Sequence, residues 1–173
     1  MLDAVTAELS DSIVASIEKV VWQVPDPLNL MALGCLLYMH LGVDVPTWGG
    51  FVMRAGSRSK ATGKLVNTYL PGDLDMANKA GEADYPTLRA ARDVVLASLN
   101  QAIQTVISGE APREHLRQVL ALVLKGMGVR AALATRLSQM PLPEVELPAG
   151  FFDEVMKDPR NGHEPFGSRP ASS

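Results

Sequence analysis

Arg54, Arg58, Lys60 and Lys64 crowd into one stretch, FVMRAGSRSKATGKL, with no acid among them. Cations on a loop rich in Gly and Ser are the footprint of contact with a phosphate backbone or an acidic protein face. The tip GSRSKATGK holds no aromatic side chain for base stacking, and the whole chain carries a net charge of −3. A phosphate-binding GxxxxGK[ST] loop is not formed either. Six residues separate Gly56 from Gly63, and Leu65 follows Lys64 where a magnesium-holding hydroxyl belongs. Nucleotide hydrolysis is excluded.

KGMGVRA, after the apolar run VLALVL, imitates a dinucleotide fingerprint. That motif works only between a strand and a helix, where its glycines bring the backbone up to a pyrophosphate. Here the preceding run has helical spacing, so Gly126 and Gly128 read as a joint between helices. The three histidines, His40, His115 and His163, are scattered, and HExxH and GxSxG are absent. Cys35 is the single cysteine and lies in LNLMALGCLLYM, which makes it a buried thiol and not a nucleophile. No catalytic, cofactor or metal constellation emerges, and the chain is not expected to be an enzyme.

The elements that must carry these residues are mostly helical. Val5, Leu9, Ile13, Ile17 and Val20 recur at helical spacing over residues 3–23, with Asp3 available as a cap. Asp26-Pro27 opens a second helix, apolar on every side from Leu28 to Leu41 and therefore central, with Gly42 as its closing glycine. A short helix follows from Asp73. Leu88, Ala91, Val95, Leu99, Ala102 and Val106 mark a long helix that Gly109 stops. Leu116, Val119, Leu120, Val123 and Leu124 mark the next, and Leu133 and Leu137 a last one. Between the second helix and Asp73, FVMRA and LVNTYL have strand composition around the basic tip. Residues 43–72 thus read as an inserted β-hairpin, with Trp48-Gly49-Gly50 turning into it.

The fold class expected is mainly α: a bundle of four or five helices over residues 1–140 with a small hairpin, then an extended Pro-rich arm over 141–173. The proline-laced PLPEVELP must be extended. Leu142, Val145, Leu147, Phe151, Phe152 and Phe166 would be the arm's anchors on a partner, β-strand addition being one mode of such docking. The closing NGHEPFGSRPASS is polar enough to be ordered only where a surface orders it.

Charge is sorted in blocks. Residues 1–44 hold six acids against one base, 45–72 four bases and no acid, and 85–140 seven bases against three acids. Such blocks suit a surface that meets its complement. The acidic start MLDAVTAELSD has no basic n-region, and Leu30 to Met39 is too short to cross a bilayer, so a soluble, cytoplasmic protein with no membrane partner is expected.

The function expected is a non-enzymatic assembly protein, forming a homo-oligomer or docking on other subunits through the arm. Its layout resembles the head–tail adaptor proteins of tailed bacteriophages, which would imply a ring-forming virion connector with the basic tip near DNA. The alternative is a nucleic-acid-binding or regulatory helical module using Arg54, Arg58, Lys60 and Lys64.

Overall fold

The computed structural model describes residues 2–45, 48–50 and 68–147, with side chains from residue 12 onward. Six helices have described bounds: α1 (Leu2–Val21), α2 (Pro27–Asp44), α3 (Leu70–Lys79), α4 (Leu88–Ile107), α5 (Glu114–Gly126) and α6 (Ala131–Ser138). The bundle therefore exceeds the four or five helices expected, because α3 and α6 are full elements.

Helix α2 is the axis of the molecule, and each of the other five packs on it. Its sequence explains why. Asp26 caps its first turn, accepting a hydrogen bond from the Asn29 amide at 2.8 Å, and Pro27 follows at the first helical position. Leu28, Met31, Leu36 and Met39 are almost wholly buried, on more than one face of the helix. Each such side chain contributes about 1.5–3 kcal/mol by leaving water, so a helix apolar all round is stable only when surrounded. Ile13 and Ile17 of α1, Leu74 of α3, Ile103 of α4, Leu116 and Leu120 of α5 and Leu137 of α6 complete the core.

Two expected caps are revised. Asp3 lies inside the first turn of α1, which starts at Leu2. Gly42 does not close α2, which runs on to Asp44. It marks a close approach instead: a Cβ there would sit 2.8 Å from Ile103 Cδ1, and a Cβ on Gly49 would sit 2.1 Å from the Gly42 carbonyl oxygen.

The hairpin is not supported. Among the described residues there is no strand: 43–44 finish α2, 48–50 form a helical turn, and 68–70 already wind into α3. Trp48 is buried, with its ring edge-on to Tyr38 at 5.2 Å, and Leu70 is buried too. β-branched and aromatic residues favour strands only weakly, and burial against α2 outweighs that preference. Residues 51–67, which hold FVMRA, the basic tip and the first half of LVNTYL, lie outside the described residues.

Elsewhere the expected boundaries hold closely. Thr87 caps α4, its hydroxyl accepting from the Ala90 amide at 3.2 Å. Gly109 ends that helix with φ +78°. Gly128, φ +79°, is the joint between α5 and α6, where the Asp84 amide donates to the Met127 carbonyl at 2.8 Å. The KGMGVRA glycines are thus structural.

Beyond α6, residues 141–147 are extended, as the prolines require. Leu142, Val145 and Leu147 are half-buried against this chain's own core. Arg117 secures the start of the segment, donating from Nη1 to the carbonyls of Ser138 at 2.8 Å and Met140 at 2.9 Å. Phe151, Phe152 and Phe166 lie outside the described residues.

Candidate ligand cavity

Helices α1, α2 and α3 do not close on one another completely. A cavity of about 100 Å³ lies between Val14, Ile17 and Val21 of α1, Leu30 and Gly34 of α2, and Met76 of α3. A second, of about 40 Å³, continues toward Cys35, Tyr38, Leu96 and Leu99. Gly34, Tyr69 and Asp73 line both.

Gly34 is the floor of this space. A Cβ built on it would meet nothing within 4 Å. A glycine inside a helix costs about 0.5–1 kcal/mol relative to alanine. Here no close packing demands it, in contrast to Gly42 and Gly49. The sequence keeps a hole in the middle of its most buried helix.

The polar groups around the hole are few and acidic. Asp73, in the first turn of α3, is half-buried, and its carboxyl is pushed up to about 6 by burial first and by the charge of Glu18 second. Glu18 of α1 lines the larger cavity too. Cys35 is pushed up to about 12, again by burial and then by Asp73, so its thiol stays protonated and inert, as expected from its apolar setting. Burial likewise raises Tyr38, whose hydroxyl donates to Asn100 Oδ1 at 2.9 Å. Trp22, 78% exposed, stands at the rim. The Tyr85 hydroxyl donates to the Leu74 carbonyl at 2.9 Å and so holds the loop before α4 against α3. An apolar hole with a carboxylate at its wall can bind and orient a small molecule, and the thiol beside it is not activated for attack.

The other polar cluster ties α2 to α5. Arg113 grips Asp44 with both terminal nitrogens, Nη1 on Oδ1 and Nη2 on Oδ2 at 3.0 Å, and Nη2 also donates to His40 Nδ1 at 3.0 Å. His40 therefore accepts at Nδ1 and, as a neutral ring, carries its proton on a buried Nε2 that lacks a partner among the described residues. Burial and the neighbouring Arg113 and Arg117 charges lower its pKa. No group of His, Cys, Asp or Glu suited to a metal occurs among the described residues.

Of the site residues expected from the sequence, Leu142, Val145 and Leu147 are placed on the core, while Arg54, Arg58, Lys60 and Lys64 fall outside the described residues. Glu18, Gly34, Tyr69 and Asp73 were not anticipated. Their one legible signal is a glycine in mid-helix without a turn to make. Their convergence depends on how three helices cross.

The described residues form an all-helical bundle with an apolar cavity between α1, α2 and α3. No protein-family model matches the chain, and no curated protein matches it. Among solved structures it is similar to RolR in complex with the ligand resorcinol, with a TM-score of 0.72 and 25% identity over 84% of this chain and 72% of that one. RolR without ligand gives a TM-score of 0.70 at 24% identity, over 84% of this chain and 75% of that one. These neighbours are a regulator, not virion or head–tail connector proteins. The phage-connector and assembly-protein reading is accordingly overturned. It rested on a projecting hairpin and a free arm, but no strand is found among the described residues and 141–147 folds back on its own core. No described helix is long and apolar enough to cross a membrane.

Proposed function

We propose that this chain is a regulatory helical module that senses a small, single-ring effector in the cavity between α1, α2 and α3. The observation that carries the reading is the apolar hole floored by Gly34 and walled by Asp73. The likeness to RolR, solved with and without an aromatic diol, supports it. An apolar cavity of ~150 Å³ is enough to take one benzene ring, which sets the scale of the effector. α1 packs chiefly on α2, across the cavity, so a ligand that favours one packing of α1 shifts the balance between conformers.

A regulator of this kind works beside DNA and as an oligomer of itself. Arg54, Arg58, Lys60 and Lys64 are the first cations to neutralise in a DNA titration, which should then lose its salt dependence. The effector reading is tested by calorimetry and thermal shift with single-ring compounds, resorcinol included. Saturable stabilisation should follow mass action, about 2.7 kcal/mol at a hundredfold excess over Kd. Gly34→Leu, whose side chain fills the cavity, should abolish the shift while the helical signal persists. Absence of any shift, or one that survives Gly34→Leu, would remove the reading.

A further inference from the structure

The geometry points to a single-ring organic cation, an aryl-alkyl ammonium in size and charge, as the effector class of the α1–α2–α3 cavity. This deepens the effector reading above and rests on it. The two neighbouring cavities, about 100 Å³ and about 40 Å³, share Gly34, Tyr69 and Asp73 and together offer room on the scale of one aromatic ring. Among the described residues, the ionisable lining residues are Glu18, Cys35, Tyr38, Tyr69 and Asp73, with no lysine or arginine. α4 adds only Leu96 and Leu99.

Asp73 loses hydration on this apolar wall, and the nearby charge of Glu18 disfavours its carboxylate further. No salt bridge to either carboxylate occurs among the described residues. A neutral ring leaves this charge unpaired, an anion worsens it, and an ammonium offsets it. The ring of Trp22 at the rim is a surface for the same cation to approach. This chemistry differs from that of the neutral diol seen in RolR.

The test uses the full chain and an isosteric series: benzylamine, benzyl alcohol and benzoate, titrated by calorimetry at pH 7.5 and pH 5. Benzylamine remains an ammonium throughout. At pH 7.5 it should bind about tenfold tighter than benzyl alcohol, with benzoate weakest. The advantage should shrink at pH 5, as Asp73 takes up a proton, while benzyl alcohol changes little. Asp73→Asn should remove the advantage at pH 7.5 and leave benzyl alcohol within about twofold, with Glu18→Gln giving a partial loss. Benzyl alcohol or benzoate binding as tightly as benzylamine, or an amine preference untouched by Asp73→Asn, would overturn the cation assignment and leave the effector reading standing. Failure of all three probes together with resorcinol would overturn both.

Discussion

Asp73 illustrates how one side chain can serve binding at the expense of folding. Its carboxyl is raised to about 6 in the folded chain against about 3.9 when unfolded. Between those values the folded state holds the proton more tightly, so this group's contribution to stability falls as pH rises from about 4 through 6. Asp73→Asn removes the charge, and the variant should be more stable than the parent at pH 8. The gap should close toward pH 4, where both carry a neutral group. Urea melts at the two pH values measure it. His40 acts in the opposite direction, since its lowered pKa makes acid destabilising, but it is common to both proteins and cancels in the comparison.

The same substitution acts with opposite signs in helix α2 and in the 48–50 turn packed against it. Gly34→Ala adds a methyl to open space and removes the backbone freedom of a helical glycine, so it should stabilise by about 0.5–1 kcal/mol. Gly49→Ala forces a methyl onto the Gly42 carbonyl oxygen and should destabilise by about 1–3 kcal/mol. Parallel thermal melts of the two variants decide between these signs. At the other end of the bundle, Arg117 fastens α5 to the last turn of α6 and to Met140. Arg117→Met keeps the stem and leaves two carbonyls without their charged donor. A loss of about 1.5–3 kcal/mol in denaturant unfolding is expected, with faster amide exchange in α6 than in α2.

For the molecule as a whole, the segment after α6 is a strap on its own domain. Leu142, Val145 and Leu147 are half-buried on the core, so replacing all three with serine should lower the melting temperature and leave the mass in sedimentation unchanged. A change of mass without a loss of stability would instead assign these residues to contacts between chains. α2 is enclosed on its other sides by α4, α5 and α6, and the apolar cavity lies on the side of α1 and α3.

The local grammar of the chain was sufficient for most of the bundle. Asp26-Pro27 and Gly109 mark helix ends through their own backbone and side-chain chemistry, and the spacing of Leu116, Leu120 and Leu124 declares a buried face without reference to any neighbour. The all-round apolarity of Leu28 to Leu41 announced a central helix for the same reason. The cavity was not legible, because Glu18, Gly34 and Asp73 are far apart in sequence and meet only through the crossing of three helices. Nor was the helical setting of Leu70, which sits in LVNTYL, a segment of strand composition, but is buried in α3. Periodicity within a segment is a local property, and a missing Cβ facing open space is a property of the neighbours it does not touch.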